Sequence, residues 1–455
     1  MPATLYDSPY YRDQFSTGPM RALFSDDGRF ASWLAYEAAL ARAEAACGVI
    51  PDEAAEAIAT AAASTDILDP AAMRDHFERV GFAILPLVKQ LRDACPETAA
   101  RYVHWGATTQ DVLDTGLVLQ MREGLALIEA ELDGTIAALA RLARAHRDTP
   151  QAGRTFQQHA VPITFGYKVA GWLDEALRHR ARLPALKERA FAVQFGGAVG
   201  TLAPLGDGGT AVRAALAAEL DLRDPDITWH TGRDGLAEVI FWLGLLGGLL
   251  GRIGTEVAML MRSEVSEVRE PYVPGRGASS AMPQKRNPIA CPQIIAIATR
   301  LRALVPQMME SQVQEHERGI AAMPVEWMVI PEAFLLASGA LMHARPMLEG
   351  LDVDAANMRR TLDAGGGLIM SEAVKSGLAA TLGSAGAHEV MTAASARAID
   401  GGVHLREALL ATPVVTEAFA EAEIDALLDP AGYTGSCGAM VDAVLARAAK
   451  EGFET

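Results

Sequence analysis

Ser279, Ser280, Lys285 and Asn287 share one stretch, Gly277-Ala278-Ser279-Ser280-Ala281-Met282-Pro283-Gln284-Lys285-Arg286-Asn287-Pro288. It combines a glycine-containing loop, two hydroxyls, a fixed cation and a helix start, which is a place for chemistry on an anion. A second polar cluster is His104-Trp105-Gly106-Ala107-Thr108-Thr109-Gln110-Asp111. A helix cap would account for one of Thr108, Thr109 and Asp111. It does not account for the crowding of a histidine, two threonines and a glutamine, which together could hold a substrate carboxylate through several hydrogen bonds. The third cluster runs from Gly153 to Gly166 and contains Arg154, Thr155, Phe156, Gln157, Gln158 and His159. Read alone, His104 is more often structural than catalytic, and His159 could simply bond a neighbouring helix. Arg21 would ordinarily be a surface residue. Gly196-Gly197-Ala198-Val199-Gly200-Thr201 lacks the lysine and the strand of a phosphate loop and reads as a turn.

Helices must position these clusters, because apolar residues recur every three or four positions while alternating strand patterns are scarce. A first long helix is expected over 30–48, and two shorter ones up to Pro86 and around 87–94. Long patterns follow over 112–146 and up to about Ala192, with Pro162 and Gly166 bending the chain into the latter. The most apolar segment, 236–263, has an uncharged core from Val239 to Gly251, too short for a membrane span. Its glycines at 244, 247, 248, 251 and 254 each cost about 1 kcal/mol relative to alanine, a cost that close helix packing would offset. This suggests the middle of a bundle, possibly one shared between subunits. Trp229-His230-Thr231-Gly232-Arg233-Asp234, just before it, could cap that helix or enter a pocket.

The two prolines and the glycine of 269–276 should end the helix near Glu267 and start the loop. Asn287-Pro288 reads as a cap with proline in the first turn, followed by an amphipathic helix through Ile294, Ile297, Ala298, Leu301 and Val305. The positive end of that helix faces back toward the serines. Pro324 to Trp327 mark another break before a helix through Leu341. Beyond Gly350, Gly365-Gly366-Gly367 and Gly401-Gly402 separate brief helices.

With 455 residues, half of them apolar, the chain can bury a large core. A formal charge of −17 argues against nucleic acid or an anionic membrane surface as partner, although a local basic pocket can exist on an acidic protein. Cys47, Cys95, Cys291 and Cys437 are widely spaced, which indicates neither a disulfide framework nor a zinc site. Reduced thiols in the cytoplasm and no signal peptide are the expectation.

In their order and around long helices, the three clusters resemble the fumarase/aspartase superfamily. The family's GSSxMPxKxNP loop is matched from Ser279 through Pro288, with Ala278 in place of the glycine before the serines. Within that superfamily the chain most resembles the bacterial 3-carboxy-cis,cis-muconate cycloisomerases. The resemblance is carried by Trp105 to Asp111, by Trp229-His230-Thr231 with Arg233-Asp234, and by Gly366-Gly367-Leu368-Ile369-Met370-Ser371-Glu372-Ala373.

The resemblance implies an all-α fold of three domains: an N-terminal helical domain (1–107), a central long-helix bundle (108–355) and a small C-terminal helical domain (356–455). It also implies a homotetramer whose active sites draw the clusters from different subunits, no cofactor and no metal, and a di- or tricarboxylate substrate. Ser279 takes the family's acid/base role next to a carboxylate, and Lys285 and Asn287 hold that carboxylate as charge grows on it. Thr108, Thr109, Gln158, Ser280, Met282, Arg318 and Arg21 are further substrate-binding candidates, and His104 and His159 are candidates for a second acid/base group.

Serine is a weak base unaided, so Lys285, the loop amides and the helix end would have to stabilise its alkoxide. Many relatives carry histidine after the threonine matching Thr155, where this chain has Phe156. Without that acid a leaving amine is disfavoured, and an intramolecular carboxylate, which needs no proton to leave, is favoured. The expected reaction is therefore lactonisation of carboxymuconate in protocatechuate breakdown. The alternatives are a β-eliminating lyase of the same fold and a non-catalytic structural relative.

Overall fold

The computed structural model describes residues 4–278, 281–282 and 284–453. The periodic segments form helices, the longest being Thr109–Ala145, Phe165–Ala190, Asp234–Leu260, Ala322–Glu349 and Ser371–Gly401. The fold is all-α. Among the described residues, strands form two small antiparallel pairs, Pro150–Thr155 with Gln158–Thr164, and Val268–Arg269 with Asp352–Val353.

The first long helix is Asp26–Ala46, started by the Ser25 side chain accepting from the Gly28 N–H and followed by Gly48 at φ +72°. Three shorter helices follow instead of two: Asp52–Ala61, Pro70–Val80 and Ile84–Ala94. Pro86 does not end a helix but sits in the first turn of the last of these, where its missing N–H costs nothing.

Several boundaries differ from expectation for physical reasons. The third cluster forms a β-hairpin, with Pro162 paired opposite Ala152 beside a bulge. Gly153 is required there, since a Cβ would lie 2.5 Å from the Val161 carbonyl oxygen. The most apolar helix ends at Leu260, seven residues before Glu267, because the chain is drawn into the short strand Val268–Arg269. The Pro324 break falls inside the first turn of Ala322–Glu349. Ser371–Gly401 is one long helix kinked at Gly383 (φ +71°), where brief ones were expected.

By length and composition Asp234–Leu260 and Met323–Glu349 could cross a membrane, but about two thirds of the most apolar part of each is buried inside the protein, as in core helices. The glycine stripe is used for packing: a Cβ would lie 2.4 Å from Val305 at Gly244, 3.0 Å from Leu301 at Gly247 and 3.1 Å from Ala298 at Gly251. These three contacts run antiparallel along Ala290–Glu310, so backbone approach repays the propensity cost.

Contacts divide the chain into two compact units. The first comprises the residues up to Glu131, His179–Gly251 and Ala296–Met342; the second comprises Leu132–Arg178, Arg252–Ile295 and the residues from His343 on. In the first unit Trp33, Leu34, Tyr36 and Leu40 pack with Ile58, Leu87, Leu91, Phe195 and Leu216. In the second a smaller core of Val374, Leu378, Met391, Leu405, Leu409 and Ile424 joins the kinked helix to the short ones after it.

In the segment around Trp229, the residues Trp229, Gly232 and Asp234 line a pocket of the first unit, whereas His230 and Arg233 are buried in a polar network. Arg233 binds Asp114 through both Nη atoms (2.7 and 2.8 Å) and Glu326 through Nε (2.9 Å) and Nη2 (2.5 Å). His230 Nε2 lies 2.7 Å from Asp111. Arg233→Ala would strand two buried carboxylates, and equilibrium denaturation should show a loss on the order of 3–5 kcal/mol. A loss below about 1 kcal/mol, the range of an exposed pair, would contradict this account.

Candidate active site

Glu270 organises the loop. Its carboxylate accepts hydrogen bonds from the backbone N–H groups of Ile289 (2.9 Å), Ala290 (3.0 Å) and Cys291 (2.9 Å), at the start of the helix Ala290–Glu310. Burial pushes this carboxyl up, but the three amides outweigh burial and hold it below the usual range. Two expectations change. Asn287 is not the cap: its Nδ2 donates to the Gly277 carbonyl (3.1 Å), as does its backbone N–H (3.1 Å), closing the loop on itself. The anion at the helix end is Glu270 itself. Gly277, at φ +72°, is required because a Cβ would lie 2.6 Å from the Asn287 carbonyl oxygen.

The loop and the end of the preceding helix enclose a cleft of about 960 Å³. Its lining includes Arg262, Arg269, Arg276, Lys285 and Arg286, and among the described lining residues the one carboxylate is Glu270, already engaged by the helix. Arg262 pairs with Glu264 (3.0 Å), Arg269 lies 3.4 Å from Asp354, and the Arg286 guanidinium stacks 4.5 Å from the Tyr272 ring centroid. Lys285 is exposed and its ammonium has no partner among the described residues. The cleft is thus cationic on an acidic protein and suits a ligand with several carboxylates. Met282 and Asn287 line it as well. Ser279 and Ser280 lie outside the described residues.

Three residues before Glu270, Glu267 is fully buried and takes Arg154 Nη2 (2.6 Å) and Gln151 Nε2 (2.7 Å), anchoring the hairpin to the same strand. At the hairpin tip Thr155 pairs with Gln158, leaving Phe156 (φ +50°) and Gln157 (φ +62°) as a two-residue turn. Asparagine and glycine normally fill such a turn. Phe156 is completely exposed, and Thr155, Gln157, Gln158 and His159 are exposed; Gln158 and His159 make no side-chain hydrogen bond among the described residues.

In the first unit the second cluster forms a turn ahead of Thr109–Ala145. Asp111 accepts from the N–H groups of Thr108 (2.9 Å), Gly196 (3.1 Å) and Gly197 (3.0 Å) in addition to its contact with His230. It therefore binds the polar turn to the glycine turn. Arg318 Nη1 lies 3.4 Å from Thr108 Oγ1 and Nη2 donates to Ala198 O (3.1 Å), while its buried Nε has no partner. His104 (φ +65°) holds Glu37 Oε1 at 2.6 Å through Nδ1. Burial pushes its imidazole down, but Glu37 outweighs burial and the net shift is upward. Arg21 is occupied locally, pairing with Asp13 and donating to the Ser16 carbonyl (2.6 Å).

The structure thus brings Thr108 and Arg318 together in one unit, near His104 and Thr109 in the same turn, and Lys285, Asn287 and Met282 in the other, where the hairpin with Gln158 and His159 shares an anchoring strand with the loop. Glu37, Glu267 and Glu270 escaped sequence reasoning. A lone glutamate in a helix or beside a proline carries no local signal, and only the fold supplies its partner.

Residues 12–302 match the family described as lyase, and residues 367–444 match the adenylosuccinate lyase C-terminus. A 3-carboxy-cis,cis-muconate cycloisomerase from Pseudomonas aeruginosa is 46% identical over 443 residues, covering 97% of this chain and 96% of the relative. Among solved structures, the 3-carboxy-cis,cis-muconate lactonizing enzyme of Pseudomonas putida superposes with a TM-score of 0.92 at 42% identity, covering 97% of this chain and 99% of that one. A fumarate lyase from Mesorhizobium sp. BNC1 gives 0.90 at 43% identity, covering 95% and 98%. Matched along nearly its whole length, with the signature loop on a cationic cleft, the chain belongs to the fumarase/aspartase superfamily of lyases.

Proposed function

We propose that the protein is a cycloisomerase that converts 3-carboxy-cis,cis-muconate to 4-carboxymuconolactone. The observation that carries this reading is the cleft: five cationic side chains line it, and Glu270 is withdrawn onto a helix end. The names of the similar cycloisomerases point the same way. In the reaction a carboxylate oxygen of the substrate bonds to a carbon of its own double bond, and a proton is delivered to the adjacent carbon. That adjacent carbon lies next to a carboxylate, so charge passes through an enolate-like dianion, which Lys285 would stabilise. Ser279 is the proposed proton-transfer residue, and Ser280 and Met282 are proposed to bind substrate. Asn287, tied to Gly277, keeps that loop folded. Thr108, Thr109 and Gln158 are the proposed hydroxyl and amide donors to the other carboxylates, with Arg318 holding Thr108. His104 and His159 are the candidates for the second acid/base group, and Arg21 has the weakest support because its guanidinium is already engaged.

Phe156 favours ring closure. It offers no proton to a leaving nitrogen, and an internal carboxylate needs none. The specific observation favouring a second reading, β-elimination from a succinyl compound, is the similarity to the fumarate lyase together with His159 near the hairpin tip, which makes no side-chain hydrogen bond among the described residues. The reading includes the three-domain division given above, a cytoplasmic homotetramer and active sites shared between subunits.

Ultraviolet assays with carboxymuconate, adenylosuccinate and aspartate-type substrates separate the two reactions. Loss of the diene absorbance is expected with the first alone, and fumarate release from either of the others would replace lactonisation by elimination. Lys285→Met should lower kcat/KM by about 10²–10³-fold while the protein stays folded. Near wild-type turnover would remove Lys285 from the mechanism. Sharing of sites is tested by mixing inactive Ser279→Ala protein with an inactive Thr109→Val variant. Partial recovery is expected, and none despite verified subunit exchange would refute it.

A further inference from the structure

We propose that Glu37 is a positioning residue for His104, holding the ring with Nδ1 toward the core and Nε2 toward the open side of the 104–111 turn, so that His104 moves the second proton of the reaction. This rests on the reading that the turn belongs to the active site. Glu37 Oε1 lies 2.6 Å from His104 Nδ1, with the Glu37 side chain only 1% exposed and that of His104 11% exposed. A carboxylate at that distance takes the Nδ1 proton and leaves Nε2 as the atom that can accept or donate. Nε2 makes no hydrogen bond among the described residues and is not among the buried unpartnered atoms, so it retains access to solvent. The backbone of His104 is left-handed, which turns the ring inward at some conformational cost.

The surroundings cost stability that packing alone does not require. Glu37 Oε2 is buried without a partner, and Glu44, on the same helix and fully buried, has both carboxyl oxygens unpartnered. Burial and the nearby Glu37 push Glu44 up to about 9, so near neutral pH it is protonated. The charged groups facing His104 from the other packed elements are Asp111 and Arg92. Asp111 is committed to three backbone amides and His230, and Arg92 donates to the Val103 carbonyl at 3.1 Å. Glu37 is therefore the carboxylate that acts on the ring. It raises the His104 pKa, whereas burial alone would lower it. Apolar residues in place of Glu37 and Glu44 would serve the core better, so retention of this arrangement indicates a use.

The test is histidine NMR on the full-length protein labelled with ¹³C and ¹⁵N histidine, with the His104 signal assigned from its disappearance in His104→Gln. The wild-type ring should carry its proton on Nδ1 and titrate above the ordinary histidine value; an Nε2-protonated ring or one titrating below that value overturns the proposal without any further variant. In Glu37→Gln the His104 pKa should fall by about one unit or more. The matching limb of the kcat–pH profile should move down with it, kcat should fall by roughly 10²-fold and KM should change little. Glu44→Gln, already neutral at that position in the wild type, should leave both readouts unmoved. A Glu37→Gln protein that loses thermal stability yet keeps the wild-type His104 titration and pH profile makes Glu37 structural and refutes the inference. The titration needs no substrate, so it stands or fails separately from the identity of the reaction. The kinetic arm uses whichever compound is turned over.

Discussion

The buried contact of Arg233 with Asp114 and Glu326 is the constraint on which the first unit depends. Both carboxylates meet the guanidinium in pairs of hydrogen bonds, the geometry that best offsets the desolvation of three charges. Burial opposes the charge on Arg233, but its two carboxylate partners outweigh burial and push the pKa up, so the cation persists. One turn earlier on the helix from Thr109, Asp111 binds the glycine turn at 196–197 and His230. Gln194 bridges the two systems, donating to Asp114 (3.2 Å) and accepting from the Trp229 N–H (3.1 Å). Four segments distant in sequence are thereby held in one register, and the polar turn with Thr108 and His104 has a fixed floor.

Carboxylates play the same organising part in the second unit. Glu267 and Glu270, three residues apart, hold the hairpin and the helix start respectively. Because Glu270 occupies the helix end, the positive potential there is already neutralised, and the cleft depends on its side-chain cations to attract an anion. Lys285 in particular makes no ion pair among the described residues. A cation compensated by a nearby carboxylate would gain little on meeting substrate, so its freedom is the property that matters for charge stabilisation.

Strain is concentrated at the hairpin tip. Phe156 and Gln157 both occupy the left-handed region in a turn suited to asparagine and glycine, and the aromatic ring gains no burial within the chain in return. Such strain is usual where a segment serves recognition rather than the core. The residue that distinguishes this chain from many relatives is thus also the one its local structure would not have chosen.

Periodicity located most of the long helices, since an apolar face every three or four residues has one satisfactory partner, a neighbouring helix, but the kinked helix Ser371–Gly401 read as brief ones. The glycine stripe announced close packing for the same reason, and the signature loop announced its lysine by residue type. Contacts across the chain were not legible. Pro162 looked like a bend and proved to be a strand residue, because Ala152 lies opposite. Asn287 looked like a cap, yet Glu270, a residue with no local signal, does the capping. His230 and Arg233 belong to a segment that read as a helix cap or a pocket entry, and they proved to be the buried ties of the first unit. Helix propensity and apolar spacing act over a few residues and are written in the sequence. The partner of a buried charge is chosen by which segments meet in space, and that was decided only by the tertiary structure.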